Sequence, residues 1–273
     1  MPPRITIAAI ISFWLGMTAW LIEREVVPMM LAEDAPSYKI SLTDEIGTPL
    51  VNWIVLSNGK RVGTGTSSIL AHEDHTYEFR SNLNLERVSI AGLAIKRLES
   101  MYRVTEKGKL EAMAAKFNLS TFGAKLNFGM PEVVEIQGEA TGDELPLRLL
   151  IDGEENKIIA LGKIDLRRQG NVVNSMHMVS RLRGLRVGQT WKITFLKLPS
   201  PTGENSLSSL IAEVKSDRLP WNKREVACFK IEYYQPGTED IAARTWVRKL
   251  DGLVLQQQAH ELGFELTMQR VPD

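Results

Sequence analysis

Thr76–Glu86 reads TYEFRSNLNLE, and this stretch decides the fold class. Tyr77, Phe79, Leu83 and Leu85 fall on one side of a two-residue repeat, while Glu78, Arg80, Asn82, Asn84 and Glu86 fall on the other. Alternation over this length fits a half-buried strand and defeats the helical period. Upstream, Leu50–Leu56 and Arg61–Leu70 form a predicted hairpin around Asn58-Gly59, because a two-residue turn needs positive φ at both central positions. Downstream, Glu106-Lys107-Gly108 separates predicted strands Met101–Thr105 and Lys109–Leu119. Lys125–Phe128, Val133–Gln137, Leu145–Ile151 and Ile158–Leu166 follow with turn residues between them. Such spacing predicts an antiparallel meander.

The later chain continues this pattern. Asn171–Arg183 reads as a strand pair or one long strand, followed by strands at Trp191–Leu198 and Arg224–Tyr234. Ala243–Leu250, Leu253–His260 and Phe264–Val271 form a terminal three-stranded meander, with Asp251-Gly252 as the φ > 0 pair of its first turn. Two stretches break the strand pattern. Ser89–Leu98 has helical spacing and reads as a short helix or an irregular connection. Ser206–Lys215 fits a helix or a strand about equally.

The N-terminus has a different character. Ile5–Ile22 (ITIAAIISFWLGMTAWLI) carries no charge and is about as long as a membrane-spanning helix, which needs roughly 17–25 residues. Its anchoring residues are expected to be Ile5, Ile11, Phe13, Trp14, Leu15, Trp20, Leu21 and Ile22. A cleaved signal peptide is the rival reading, but the candidate cleavage sites at Ala19 and Ala32 have Met17 and Met30 at the −3 position, where a small residue is wanted. Arg4 and the free amine precede the run, and Glu23, Arg24, Glu25, Glu33 and Asp34, net acidic, follow it. The positive-inside rule then places residues 1–4 in the cytoplasm, 5–22 across the cytoplasmic membrane as a signal anchor, 23–45 as a tether, and 46–273 outside the cytoplasm.

Composition sets further bounds. Lys plus Arg and Asp plus Glu are 33 each in 273 residues, which leaves no basic excess for nucleic acid. Cys228 is the single cysteine, so no intrachain disulfide forms. Its expected role is that of a small apolar filler rather than a nucleophile. His72-Glu73-Asp74-His75 is the one group of metal-ligand side chains, but its i, i+3 imidazoles in a loop miss the helical i, i+4 motif, so a solvated loop is expected. Gly63-Thr64-Gly65 lacks the rest of a phosphate loop. No GxSxG elbow occurs. Asn118-Leu119-Ser120 matches the glycosylation sequon on a predicted strand. His177 and His260 stand alone. Trp53, Trp191, Trp221 and Trp246 either line an apolar cavity or fill the core. Neither a catalytic residue, a metal nor a cofactor is expected.

The run Trp246-Val247-Arg248, with Asp251-Gly252-Leu253-Val254-Leu255, resembles that of uncharacterised bacterial envelope proteins with a sheet like the LolA/LolB lipoprotein carriers. The resemblance implies a mostly β fold: a curved antiparallel sheet or half-barrel over residues 45–273, wrapping an apolar cavity closed by one or two short helices. It carries no functional residue across. Two functions follow as expectations. One is an anchored envelope protein that binds or transfers an apolar or lipid-like ligand. The alternative is a non-enzymatic structural or interaction module that contacts another envelope protein.

Overall fold

The structure is a computed structural model of the full chain. It describes residues 4–21, 50–86, 89–90, 93–106, 109–121, 132–152, 154–166, 172–174, 178–196, 207–238, 240–261 and 264–272. Among the described residues one helix, α1 (Arg4–Leu21), precedes sixteen strands. In chain order they are β1 (Val51–Ser57), β2 (Lys60–Ala71), β3 (Thr76–Leu85), β4 (Ser89–Ile90), β5 (Leu93–Thr105), β6 (Leu110–Thr121), β7 (Val133–Glu139) and β8 (Glu144–Ile151). They continue as β9 (Glu154–Asp165), β10 (Val172–Asn174), β11 (Thr190–Leu196), β12 (Leu207–Trp221), β13 (Arg224–Tyr234), β14 (Ile241–Arg248), β15 (Val254–Glu261) and β16 (Phe264–Arg270).

All the strands join one sheet. Its order runs β10, β11, β12, β13, β14, β15, β16, β1, β2, β3, β5, β6, β7, β8, β9, with β4 paired to β5. Every pairing is antiparallel except β10 with β11. Among the described residues the two ends of this order do not pair, so the sheet is open. The C-terminal strand is not at an edge. β16 lies between β15 and β1, with Trp53 opposite Arg270 and Val55 opposite Met268. It splices two local meanders into one sheet.

Turn chemistry explains the hairpins. Asn58 and Gly59 both take positive φ (49° and 75°), as the two-residue turn requires. Asn222 and Lys223 do the same (49° and 61°) between β12 and β13. At the β14–β15 turn the expectation needs correction. Among the residues of that turn only Gly252 is in the left-handed region (76°), and Asp251 instead caps the turn, accepting from Arg248 Nε at 2.9 Å and from Leu253 N at 3.2 Å.

Two other expectations are corrected. Ser89–Ile90 form β4 and Leu93–Leu98 the start of β5, not a helix: apart from α1, no α-helix occurs among the described residues. Helical spacing there was a coincidence of Ile90, Leu93, Ala94 and Leu98, overridden by cross-strand pairing with β3 and β6. Residues 178–183 are not a strand but part of an irregular strap, residues 178–189, laid on one face of the sheet. Of the stretch Ser206–Lys215, residues 207–215 are strand, within β12. The predicted strand Lys125–Phe128 lies outside the described residues, as do Ile22 and the tether 23–45.

One face of the sheet carries the main core. Trp53, Val55, Leu83, Leu98, Phe117, Ile136, Trp191, Leu210, Ile231, Val247, Val254 and Met268 belong to a single buried cluster, to which the strap adds Met178, Val179 and Leu185. Farther along the same face of β2–β8, Ile69, Phe79, Tyr102, Met113, Leu145 and Leu147 form a second cluster. A smaller cluster, Leu219, Cys228 and Leu255, lies on the opposite, outer face with Trp221 and Trp246 against it. The tryptophans therefore divide: Trp53 and Trp191 fill the core, and Trp221 and Trp246 pack outside.

Polar groups within the core face are paired. The Trp53 indole donates to Ser67 Oγ at 2.9 Å, and Ser81 and Ser100 hydroxyls bond each other at 2.9 Å. Pairing of this kind offsets the desolvation of buried polar atoms. The strap's backbone is satisfied too: Val179 N donates to Gln257 Oε1 at 2.9 Å, Val254 N to Ser180 O at 3.1 Å, and Leu182 N to Gly252 O at 2.8 Å. These bonds, and Met178 resting on Gly65 and Leu83, fix a segment that has no periodic pattern.

Candidate functional site: charged clusters and a groove on the outer face

The outer face carries the charged chemistry. A depression of about 530 Å³ crosses β2, β3, β5, β6 and β7 there. Its lining includes Thr66, Ser68, Glu78, Arg80, Arg97, Glu99, Lys116 and Glu135, with Leu50 and Met101 as apolar patches. The register explains the assembly. Glu78 stands opposite Arg103, Asn82 opposite Glu99, and Lys116 opposite both Glu99 and Glu135.

Glu78 is the exception to the clean alternation of β3: it points outward, yet only 4% of its side chain is exposed. Arg80 bonds Oε1, His72 Nε2 lies 3.1 Å from Oε2, and Arg103 Nη2 lies 3.7 Å away. Burial alone would raise the Glu78 carboxyl, but the hydrogen bond and charge of Arg80, with His72 behind them, outweigh it and hold it below the usual carboxylate range. A carboxylate so held stays ionised at neutral pH and is poorly suited to proton transfer. Arg97 is engaged by Glu99 at 2.8 Å and Asn82 at 3.2 Å.

A second cluster sits on the outer face of β12–β14. Glu232, 9% exposed, meets Lys215 Nζ at 2.7 Å, Lys230 Nζ at 3.0 Å and Arg244 Nε at 3.7 Å. Burial raises its pKa, and hydrogen bonds from Lys215 and Lys230 more than reverse that, so it too is lowered. Asp217 accepts the Trp246 indole N–H at 3.0 Å.

The remaining sequence candidates find ordinary places. His72–His75 is the β2–β3 loop, with His72 on Glu78 and Asp74 capping Thr76 at 2.6 Å. Among the described residues no three His, Cys, Asp or Glu side chains are placed to hold a metal ion. Gly63 and Gly65 belong to β2, and each is needed for close approach: a Cβ on Gly63 would fall 2.1 Å from Asn84 O. Cys228 is fully buried, and burial pushes its thiol up to about 11, which leaves it protonated at neutral pH. Asn118 is half-buried within β6. His177 and the side chain of His260 lie outside the described residues.

Of the expected anchor residues, Ile5–Leu21 form the helix α1. Its described side chains are exposed all round: Ile11 54%, Phe13 69%, Trp14 67%, Leu15 59%, Trp20 49% and Leu21 48%. Among the described residues no helix is long and apolar enough to cross a membrane. Sequence reasoning missed the Glu78 and Glu232 clusters, because their partners come from different strands and only the register unites them. Comparison with protein-family models, with curated proteins and with solved structures finds no match to this chain.

Proposed function

We propose that this chain is an anchored envelope protein whose β domain is a non-enzymatic interaction module with a filled interior. The observation that carries this reading is the seal over the middle of the core face; toward β8 and β9, Leu149 stays partly exposed and Ile159 opposite it is 49% exposed. Val55, Ile136, Leu210, Ala212, Ile231, Val247 and Val254 have no accessible surface. A chamber able to hold an acyl chain admits a water-sized sphere, so its walls would show exposure. The strap supports the same reading, since Met178 occupies the space over Gly65 and Leu83 that a ligand would need.

A half-barrel form is supported by the core cluster itself. It joins Trp191 of β11, near one end of the sheet, to Ile136 of β7, near the other. Strands lie roughly 4.8 Å apart, so a flat sheet would hold these two more than 50 Å apart with one face bare to water. Curvature brings the face onto itself and onto the strap. The sheet edges are poor docking strips: β10 has three residues, and the pairing of β9 with β8 is irregular opposite Leu147/Arg148 and Leu150/Ile151 of β8. Contact with a partner is assigned to the outer face, where the groove offers balanced charge and hydroxyls.

Anchoring in the cytoplasmic membrane is supported by the uncharged run 5–22, by the exposure of the large apolar side chains described between Ile10 and Leu21, and by the charge asymmetry about that run. Binding of the apolar dye N-phenyl-1-naphthylamine to residues 36–273 tests the filled interior. The expected result is no saturable fluorescence enhancement. Saturable enhancement by one dye per domain would restore the carrier reading.

A further inference from the structure

We infer that one end of the β domain is a docking surface for anionic phospholipid headgroups in the leaflet that it faces, in the bilayer where the chain is anchored. This inference rests on the anchored reading given above. The surface is built from segments that are far apart in sequence and bonded together in space. Val271 N donates to Asn52 O at 2.9 Å, Arg270 Nη1 to Ser180 O at 3.2 Å, and the Trp221 indole to Arg270 O at 3.2 Å. Leu182 N donates to Gly252 O at 2.8 Å, and Arg181 Nη1 to Asp251 O at 3.3 Å. The entry of β1, the β12–β13 and β14–β15 turns, the end of β16 and the strap thus meet at one end.

The charge of these turns differs from that of the whole chain, which has equal numbers of cations and anions, and from that of the β2–β3 loop at the same end of the sheet, where Glu73 and Asp74 are exposed. Arg183, Lys223, Arg224 and Lys249 are exposed there. Of the nearby carboxylates, Asp251 is held by Arg248 through bonds of 2.9 and 2.7 Å, which leaves Glu225 as the exposed counter-charge in these turns. Beside Lys249 stands Leu250, 88% exposed at the tip of its turn, and Leu50 is 56% exposed where β1 begins. An isolated leucine on a turn, ringed by cations, suits the headgroup layer, where the apolar side chain sinks and the cations meet phosphates.

An acidic protein would match the cations, but it would not call for a bare leucine at the apex. The chain's own path adds the deciding argument. Only residues 22–49 separate the end of α1 from Leu50, and a stretch of that length reaches at most roughly 100 Å even when fully extended. The patch is therefore confined near the bilayer, and a contact too weak to hold a free protein is occupied by effective concentration alone.

The test uses the full chain reconstituted into vesicles of phosphatidylcholine, or of an equimolar mixture with phosphatidylglycerol. An environment-sensitive fluorophore is placed at Leu250→Cys and, as a control, at Lys60→Cys in the exposed start of β2 at the opposite end; Cys228 is buried and stays unlabelled. The Leu250 label should shift to the blue only in the mixed vesicles and return in high salt, while the Lys60 label stays aqueous. Lys249→Gln and Arg183→Gln should each lower the docked fraction ratio by roughly fivefold. A Leu250 label that remains aqueous on mixed vesicles overturns the inference. If carbonate fails to strip that protein, the anchored reading stands without it; if carbonate strips it, the anchored reading falls as well. A shift produced by polyglutamate but not by mixed vesicles would assign the patch to an acidic protein and overturn the lipid surface.

Discussion

Alanine at Gly65 and at Met178, singly and together, interrogates the contact on which the sealed interior depends. A Cβ on Gly65 would lie 2.7 Å from Met178 Sδ, 2.8 Å from its Cε and 2.9 Å from Leu83 Cδ2. The φ of Gly65 is not in the left-handed region, so the substitution carries no backbone strain. Overpacking costs about 1–3 kcal/mol, and because the nearest atoms end a flexible thioether, the lower end applies. Met178 is 1% exposed, so Met178→Ala removes a fully buried side chain and should cost about 2–5 kcal/mol. In the Met178→Ala background the new methyl meets mainly Leu83 and partly refills the cavity, so Gly65→Ala becomes neutral or stabilising. The expected coupling is about 1 kcal/mol or more, in the compensating direction. Urea titrations followed by circular dichroism read each midpoint, with unchanged slope as the check that only stability has moved. Strictly additive losses would mean that the strap does not lie on β2, and the sealed-core argument would fail with it.

Gly63→Ala should be far worse than Gly65→Ala, about 3 kcal/mol or more, because its Cβ meets the β3 backbone at Asn84 O and nothing flexible can yield; comparable urea midpoints for the two would contradict the register. Glu232→Gln should destabilise by about 1–2 kcal/mol, discounted from the buried-pair range because Lys215 is 45% exposed. The Glu232 pKa is lowered on folding, so its stabilisation is full above the ordinary glutamate value of 4.5 and lost as pH falls through the lower folded value; a melt whose acid-side loss is the same in Glu232→Gln would refute that role. Cys228 should react with a thiol reagent at the rate of global unfolding, since it is buried with its thiol raised to about 11; rapid labelling without denaturant would show the outer cluster open. Deleting residues 264–273 should abolish the cooperative melt, because loss of β16 separates β15 from β1 and divides the sheet; a retained melt would show two independently stable halves.

How much of this could be read from the chain follows from the range of each interaction. The hairpins at Asn58-Gly59 and the alternation of β3 are local, written in turn residues and a two-residue period, and both are found where expected. β16 shows the limit. Phe264, Leu266 and Met268 announce an apolar face, but nothing in them names β1, some two hundred residues earlier, as the neighbour. The strap is less legible still. Met178, Val179 and Leu185 have no period, and of the strand pair or long strand expected over 171–183 the described residues show Val172–Asn174 as strand and 178–183 as strap. The candidate site was least legible: Glu78 and Glu232 each sit amid polar positions of an ordinary alternating strand, and their cages arise only once β2, β5, β12 and β14 are in register. The membrane-facing reading of residues 5–22 rests on sequence and on the exposure of α1.

The most direct test of the filled interior is a native mass spectrum of residues 36–273 produced in cells that supply their full complement of lipids. The account predicts a single species at the mass of the polypeptide, because among the described residues the middle of the core face is closed by packed side chains and the strap. A second species, heavier by one phospholipid or fatty acid and persisting under gentle activation, would contradict it.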